Sequence, residues 1–318
     1  MAPVQGVPPS FPFRRCFLPS DAPARAALIG TLAMIAASAT WGLSAIFYKL
    51  LAHVPAAEVL AHRTLWSAVL FAAILGLRGR LQGVPQLVSA LRPALLLVAG
   101  AAMISVNWFL FIFAVQAGRV VETSMGYYIF PLVSVALGVV LFAERPGRVQ
   151  IVAIALACAA VAVLILGLGV TPWISLALAI TFGFYGAIKK RLQADAMVSV
   201  TAEVAVLLPL ALWWLWVQVP GWGGFSGGTA LLLVATGPMT ALPLILFTIA
   251  TQRLSLATVG VIGYLNPTLQ FLCATVLFGE RFTLWHAIAF ALIWTALALY
   301  SGAALRTRRR VKAAVPAR

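Results

Sequence analysis

Charged residues are scarce in this chain. Of its 318 residues only 9% are charged, whereas 63% are apolar and the mean hydropathy is +1.04. A water-soluble domain could not cover its surface with so few charges, so the composition excludes a soluble protein. The sequence therefore predicts that lipid is the solvent for most of the molecule.

Other absences exclude further classes of function. There is no GxxxxGK[ST] loop, so the chain alone cannot drive transport with ATP. The three cysteines, Cys16, Cys158 and Cys273, are far apart, and we expect neither a disulfide framework nor a metal site nor a cofactor. The net charge of +15 comes from short basic runs between apolar segments, so we expect no nucleic-acid partner.

Long apolar runs dominate what is present. Each is long enough to cross about 30 Å of hydrocarbon as a helix, and helix is required because an isolated strand would leave backbone groups unpaired in lipid. The sequence predicts an all-α membrane protein of ten transmembrane helices, at 28–50, 58–77, 94–115, 120–142, 149–168, 172–189, 198–217, 230–250, 257–278 and 282–302.

Lysine and arginine gather in alternate connections between these runs. With the N-terminus inside, the outer loops hold only Arg119 and Arg281, and most other basic residues lie on the cytoplasmic side. The positive-inside rule therefore predicts an inner or plasma membrane protein with both termini cytoplasmic. The expected organisation is a disordered N-terminal tail (1–27), two five-helix units (28–168 and 172–302) and a basic C-terminal tail (303–318).

Two segments of the chain match each other at a shift of 136 positions. Residues 116–145 and 252–281 align without a gap. Residue types that rarely match by chance fall into register, at Gln116/Gln252, Tyr128/Tyr264, Pro131/Pro267, Glu144/Glu280 and Arg145/Arg281. The chain is therefore predicted to be two copies of one unit.

The shift maps the fourth span onto the ninth, which is a displacement of five spans. Because five is odd, the second unit must be inverted relative to the first. Inverted repeats around a midplane site suit alternating access. The alternative is a duplication that is retained only for packing.

Ionisable residues inside the spans form two groups, and such residues are costly in lipid. The outer group is Lys49, Glu58, His62 and Arg63, and the inner group is Lys190 and Glu203, near Lys189. Aligning the first and sixth spans at an offset of 141 places Lys190 on Lys49 and Glu203 on His62. We hypothesise that these groups gate or couple opposite faces. The alternatives are a fixed ion pair at Glu203 and simple anchoring of helix ends.

Uncharged polar and aromatic residues lie towards the middle of the spans. Pro131 and Pro267 are expected to kink the fourth and ninth helices at matching points. Aromatic residues at helical spacing are often only packing, but together these side chains are the candidates for a substrate cavity. They are Trp41, Asn107, Trp108, Tyr127, Tyr128, Tyr264, Asn266 and Gln270.

One string has the form of a serine-hydrolase motif. Residues 224–228 read GFSGG, and His286 is a candidate partner for Ser226. The string lies in a glycine-rich outer loop, not at a strand-to-helix turn or a buried helix end, so we interpret it as a flexible loop.

Several short strings resemble a known family. Trp41-Gly42, the run from Val59 to Ser67 (VLAHRTLWS), Asn107-Trp108 and Tyr264 with Pro267 are similar to the RarD-type permeases of the EamA group, in the drug/metabolite transporter superfamily. The resemblance spans roughly residues 28–301 and implies a ten-helix inner-membrane permease, with relatives linked to chloramphenicol sensitivity or resistance. The chain departs from these relatives at Ala45, Phe130 and Gly263.

Together these features predict a secondary transporter that exports small amphipathic metabolites or drugs. Its expected partners are a small-molecule substrate and the lipid bilayer, and both a monomer and a homodimer remain open. A membrane-embedded enzyme and a channel are the alternative functions.

Overall fold

The computed structural model describes residues 22–143, 147–168, 172–192, 194–218, 225–251, 253–254, 259 and 262–314. Every regular element within these ranges is a helix. The predicted all-helical class is therefore confirmed. Glu144, Arg145 and Gln252 of the internal repeat, and Gly224 of the GFSGG string, lie outside the described residues.

Most helices coincide with the predicted apolar runs, whereas in the predicted ninth run, 257–278, the described α-helix is Leu265–Leu272. They are α1 (Ala22–Leu50), α2 (Ala56–Leu77), α3 (Gly83–Val88), α4 (Leu91–Gln116), α5 (Val120–Phe142), α6 (Arg148–Leu168), α7 (Trp173–Leu192), α8 (Ala196–Gln218), α9 (Gly227–Thr251), α10 (Leu265–Leu272) and α11 (Leu284–Ala314). A π-helical turn, Cys273–Leu277, continues α10. The short helix α3 lies in a connection where no helix was expected.

Six helices in the described part of the chain are long and apolar enough to cross a membrane. They are α1 from Arg25 onward, α2, α4, α5, α8 and α9, with mean hydropathies from 1.5 to 2.2. Shorter apolar segments lie within α6 (Ile151–Gly167), in α10 with its π turn (Leu265–Leu277), and in α11 (Leu284–Leu299).

The helices pack around two main apolar cores. The larger core is shared by α1, α4, α5, α6, α7 and α11 with the π turn, and the smaller one lies between α2, α8 and α9. The principal helix contacts are α5 with α7, α4 with α7, α2 with α8, α2 with α9, α1 with α9, α1 with α10, α5 with α10, α4 with α8, and α6 with α11.

Glycine permits the closest of these helix approaches. A Cβ on Gly237 of α9 would lie 2.8 Å from the backbone carbonyl of Trp66 in α2. A Cβ on Gly126 of α5 would lie 2.8 Å from the carbonyl oxygen of Ser175 in α7. Small residues at interfaces between apolar helices let the backbones come this close, and dispersion contacts then stabilise the packing.

The helices that carry the internal repeat end in the same kind of turn. Ala143 follows α5 with φ 52° and donates its backbone N–H to Gly138 O. Gly279 follows the π turn of α10 with φ 63°, directly after Phe278, whose N–H bonds to Cys273 O. These left-handed residues stand 136 positions apart, and glycine adopts this conformation without the steric cost that Ala143 meets.

Candidate functional site

Polar contacts identify two opposite ends of the helix bundle. At one end, Gln116 at the end of α4 donates to the carbonyls of Leu51 and Val54 in the α1–α2 loop, at 3.1 and 2.9 Å. At the other end, Arg80, after α2, forms a salt bridge of 3.3 Å with Asp195, just before α8. Each end has a cluster of buried polar residues a few helical turns inward.

The first cluster centres on Arg63 of α2, which is only 7% exposed. Its Nη1 donates to the hydroxyl of Tyr48 in α1 at 2.9 Å. Its guanidinium carbon lies 4.1 Å from the ring centroid of Trp108 in α4 and 5.7 Å from that of Tyr48. The cation therefore lies against the ring of Trp108, whose quadrupole attracts it, while the Tyr48 hydroxyl accepts its hydrogen bond. We call the Arg63 cluster the set Tyr48, Glu58, His62, Arg63, Trp66, Ser67 and Trp108.

Several polar atoms of the Arg63 cluster have no hydrogen-bond partner within the described protein. They are Arg63 Nε, Glu58 Oε1, both ring nitrogens of His62, Trp66 Nε1 and Ser67 Oγ. No carboxylate in the described part of the chain lies within 4.0 Å of the Arg63 guanidinium, and Glu58 forms no ion pair with it. Buried polar groups are normally satisfied, so this concentration on one helix requires an explanation.

The second cluster centres on Glu203 of α8, which is 1% exposed. Lys189 of α7 forms a 2.6 Å salt bridge with its Oε1, and the hydroxyl of Tyr185 donates to its Oε2 at 2.9 Å. Ser199 bonds to both Lys189 and the Glu203 carboxylate. We call the Glu203 cluster the set Tyr185, Lys189, Ser199 and Glu203. Its anion has a cation and two hydroxyl groups as partners.

Helix α4 contacts both clusters at different depths. A Cβ on Gly100 would lie 3.3 Å from Glu203 Oε1, whereas Trp108 stacks on Arg63. Eight residues along a helix correspond to about 12 Å. The two clusters therefore form layers about 12 Å apart along the bundle, and α4 runs past both.

The two lysines that the repeat alignment paired lie near helix ends. Lys49 donates to Val115 O at 3.5 Å and lies 5.6 Å from the ring centroid of Phe278. Lys190 lies 4.3 Å from the ring centroid of Phe142. The lysine that pairs with Glu203 is thus Lys189 and not Lys190.

Asn107 and Tyr127 connect three helices. The Asn107 amide donates to Leu178 O at 2.9 Å and to Thr181 Oγ1 at 3.0 Å. The Tyr127 hydroxyl donates to Asn107 Oδ1 at 3.1 Å. This network joins α4, α5 and α7 and satisfies the buried Asn107 side chain.

The crossing of α5 and α10 is polar. Tyr128 and Tyr264 stack with their ring centroids 6.3 Å apart, and the Tyr128 hydroxyl bonds to Thr268. Gln270 donates to Asn266 Oδ1 at 2.8 Å and accepts from Thr123 at 2.9 Å. The structure thus brings four of the predicted cavity residues together. The ring of Trp41 contacts Phe247 in α9, with the two ring centroids 5.9 Å apart.

The two predicted kink residues both lie inside helices. Pro131 is within α5 and Pro267 within α10, two residues after its start. The carbonyl of Pro267 accepts a hydrogen bond of 2.8 Å from Ser124, so α5 supplies a partner beside the proline. Ser124 was not among the expected site residues.

Glu280 has a role that the sequence analysis did not assign. Its two carboxylate oxygens accept the backbone N–H groups of Val120 and Val121 at 2.7 and 2.8 Å. A carboxylate at a helix N-terminus satisfies free donors and opposes the helix dipole. Glu280 therefore links the α10–α11 connection to the start of α5. The signal was present in the sequence, because Glu280 is one of the charged residues retained by the internal repeat.

The serine of the GFSGG string has a local role. Ser226 Oγ lies 3.2 Å from Thr229 Oγ1 at the start of α9, and His53 bonds to the same threonine at 3.0 Å. His286 bonds instead to Thr283 at 2.9 Å. Within the described residues no group of three His, Cys, Asp or Glu side chains forms a potential metal site.

Comparisons with known proteins agree with this architecture. Residues 28–166 match the EamA-like transporter family. Protein RarD of Streptomyces exfoliatus is 43% identical over 293 residues, which cover 91% of this chain and 93% of that protein. An uncharacterized transporter of Vibrio cholerae is 38% identical over 276 residues, covering 86% and 91% of the two chains. The chloramphenicol-sensitive protein RarD of Pseudomonas aeruginosa is 29% identical over 294 residues, covering 88% and 96%.

A solved crystal structure shares the fold. It matches with a TM-score of 0.56 at 20% sequence identity, covering 89% of this chain and 99% of the other. The long apolar helices make the protein a multi-pass membrane protein, and the similarity to named transporters extends over most of its length. The chain therefore belongs to the EamA-like transporter family, with RarD proteins among its relatives.

Proposed function

We propose that this protein is a secondary transporter that exports small amphipathic metabolites or drugs across the inner (plasma) membrane by alternating access. The proposal includes ten membrane-crossing helices in two inverted repeats, α1, α2, α4, α5 and α6 against α7 to α11. Both termini face the cytoplasm, so the α1–α2 loop is external and the α7–α8 connection cytoplasmic.

One observation carries the proposal: when each helix is replaced by its counterpart in the other half (α1 by α7, α2 by α8, α4 by α9, α5 by α10 and α6 by α11), the principal helix contacts map onto one another, although the contact of α2 with α4 is not matched between the described residues of α8 and α9. The contact of α5 with α7 has its counterpart in α10 with α1, and α4 with α7 corresponds to α9 with α1. Likewise α2 with α9 corresponds to α8 with α4. The contacts α2 with α8, α5 with α10, and α6 with α11 each join a helix to its own counterpart. A pseudo-twofold axis produces this pattern, and such repeats support alternating access.

Matched residues near this axis support the same interpretation. Tyr128 and Tyr264, which the repeat pairs, stack on each other, as residues beside a twofold axis do. Ala143 and Gly279, also 136 positions apart, share a left-handed backbone conformation. Features of the sequence, the backbone and the packing therefore all support the proposed repeat.

The polar clusters supply candidate gates at opposite faces. On the cytoplasmic side, the Lys189–Glu203 pair joins α7 to α8, and the Glu203 carboxylate lies against Gly100 of α4. On the external side, Glu280 holds the start of α5, and the ring of His62 packs 6.1 Å from that of Phe225. In the first half the outer gate is assigned to Glu58 and Arg63. Arg63 bonds to Tyr48 in α1, and Glu58 and Arg63 form no ion pair with each other. Switching requires that these contacts differ between the two states.

A transport assay tests the proposed function directly. The purified protein in sealed liposomes should move a small amphipathic solute unchanged and with saturable kinetics, and chloramphenicol and the carboxylate benzoate are the two solutes tested. Chemical conversion of the solute would indicate a membrane enzyme, and unsaturable conductance would indicate a channel. Empty liposomes, and liposomes with a Gly237→Trp variant that cannot pack α9 on α2, serve as controls.

The gates can be tested by accessibility. Cysteines introduced at Trp108, Tyr128, Tyr264 or Asn266 should react with small hydrophilic reagents and be protected by a transported solute. Glu203→Gln should raise labelling from the cytoplasmic side, and Glu58→Gln should raise labelling from outside. If both variants label and transport like the parent, the charges only anchor helix ends.

The orientation has its own test. Reporter fusions after residue 85 or 193 should be cytoplasmic, and fusions after residue 170 or 224 should be external. A cytoplasmic signal at 224 would contradict the inverted repeat. Mass measurement in native nanodiscs would distinguish a monomer from the homodimer.

A further inference from the structure

We propose that Arg63, with Trp66 and Ser67, forms a binding subsite for the carboxylate of a small monocarboxylate that has an apolar body. The inference deepens the proposed function, on which it rests, by naming the chemical class of the solute. The subsite lies on one face of α2, inside the Arg63 cluster.

Three hydrogen-bond donors share this face. Arg63, Trp66 and Ser67 stand at positions i, i+3 and i+4, which lie together on a helix surface. Arg63 Nε, Trp66 Nε1 and Ser67 Oγ are all buried and all lack a protein partner in the described ranges. Indole and guanidinium N–H groups can only donate, and the serine hydroxyl can donate as well. The face therefore requires an acceptor, which is the chemistry of an oxyanion.

The contacts of Arg63 leave the Nε edge of its guanidinium for a ligand. Trp108 covers a face of the guanidinium at 4.1 Å, so hydrogen bonds must form at its edges. Tyr48 occupies the edge at Nη1, while Nε remains without a partner. A carboxylate binds a guanidinium edge in plane with two parallel hydrogen bonds, a geometry that matches the planar fork of arginine.

The charge of the site also requires a counter-ion. A buried cation costs several kcal/mol unless it is paired, and the described protein places no carboxylate within 4.0 Å of Arg63. The Tyr48 hydroxyl and the aromatic faces offset only part of this cost. A bound anion would supply the remainder.

Glu58 selects among anions. It lies five residues before Arg63 on α2, is 8% exposed, and has one oxygen without a protein partner. Because five residues of helix rise only about 7.5 Å, a Glu58 carboxylate would repel a dianion bound beside Arg63 more strongly than a monoanion. The aromatic surroundings, Trp108 and Tyr48, favour an apolar body on the ligand. These features together favour a monocarboxylate over inorganic phosphate or sulfate.

Equilibrium binding to the protein in nanodiscs tests the subsite without requiring transport. Three probes share one ring and differ in charge: benzoate, the neutral benzamide and the cationic benzylamine. Benzoate should quench tryptophan fluorescence and raise the unfolding temperature, and the other two should bind at least about tenfold more weakly, as expected for loss of a charge-assisted hydrogen bond. Inorganic phosphate is included to test the preference for a monocarboxylate.

Substitutions test whether benzoate binds at Arg63. Arg63→Gln should weaken benzoate binding about tenfold or more, and Arg63→Lys should fall between it and the parent because lysine keeps the charge but loses the fork. If Arg63→Gln does not fold, Arg63→Lys and Ser67→Ala carry the test. The matched control is Arg119→Gln, because Arg119 also lies over a tryptophan, Trp173 at 5.6 Å, but is already paired with Glu122. This control should bind benzoate like the parent.

The outcomes separate the two proposals. Equal binding of benzoate and benzamide, no benzoate binding by the parent, or unchanged binding by Arg63→Gln would each overturn the subsite. Tighter binding of phosphate than of benzoate would overturn the monocarboxylate class. Benzoate binding that depends on Arg63, without transport in liposomes, would support the subsite and contradict the proposed transport.

Discussion

The Arg63 and Glu203 clusters each contain a buried charge in a similar structural setting, but they differ in the partners that the charge has. In each, a tyrosine hydroxyl from one helix bonds to a buried charge in the next long helix: Tyr48 to Arg63 and Tyr185 to Glu203, both at 2.9 Å. Glu203 has a lysine and a serine as further partners. Among the described residues, the only further partner of Arg63 besides its tyrosine is the ring of Trp108.

The difference indicates different roles. A fully paired buried charge can join two helices without any ligand, because its desolvation cost is offset within the protein. A buried charge with unsatisfied donors is costly in the folded protein and is retained where a ligand or a second conformation supplies the partner. We therefore assign the Glu203 cluster to helix contact and gating, and we assign recognition to the Arg63 cluster in addition to its proposed part in the outer gate.

The largest expected effect comes from removing the partner of Glu203. Lys189→Met leaves a carboxylate that is 1% exposed without its counter-ion. We expect the unfolding free energy to fall by about 3 kcal/mol, which is the lower end of the range for breaking a buried ion pair. The lower end applies because the Lys189 side chain is 23% exposed. Chemical or thermal unfolding in one fixed detergent measures the change.

The control for this prediction is a double-mutant cycle. Lys189→Met with Glu203→Gln should recover more than half of the loss, since no uncompensated charge remains. The exposed pair Arg80–Asp195, 3.3 Å apart with side chains 51% and 41% exposed, should lose less than about 1 kcal/mol when Arg80 becomes Met. Equal losses at both pairs would remove the distinction between a buried and a surface ion pair.

Substitution of one glycine beside each cluster compares how rigid the two clusters are. Gly237→Ala places a methyl group 2.8 Å from the Trp66 backbone beside the Arg63 cluster, and this backbone cannot easily move. We expect a loss of about 1–3 kcal/mol, typical of overpacking. Gly100→Ala places its methyl 3.3 Å from a carboxylate oxygen of Glu203, at the end of a side chain, so the loss should be smaller. The same unfolding assay ranks the two variants, and the reverse order would show that the Glu203 carboxylate is the more rigid neighbour.

The sequence predicted the helices because apolar runs of membrane length leave the backbone little alternative to helix. It did not predict which lysine pairs with Glu203, since Lys189 and Lys190 differ by only one position and only packing decides which faces α8. The contact of Glu280 with α5 joins residues that are 160 positions apart in the sequence. No local sequence pattern predicts a contact between residues so far apart. The sequence showed that Tyr128, Tyr264 and Asn107 are polar residues within apolar spans. It did not show their hydrogen-bond and ring partners, because these depend on how the helices cross.

The smallest expected effect is at Arg63 itself, and it distinguishes the two clusters most clearly. Arg63→Met removes one hydrogen bond to Tyr48 and the stacking on Trp108, which together contribute about 1–3 kcal/mol. It also removes a buried cation that has no carboxylate partner within 4.0 Å in the described chain, and methionine fills similar volume. These terms oppose each other, so without a bound anion the unfolding free energy should change by less than about 1 kcal/mol in either direction. Unfolding of parent and variant in the same detergent, without added carboxylate, measures this. A loss as large as that of Lys189→Met would show that Arg63 is a structural anchor, because a ligand-binding arginine can be removed from the unliganded protein at little cost in stability.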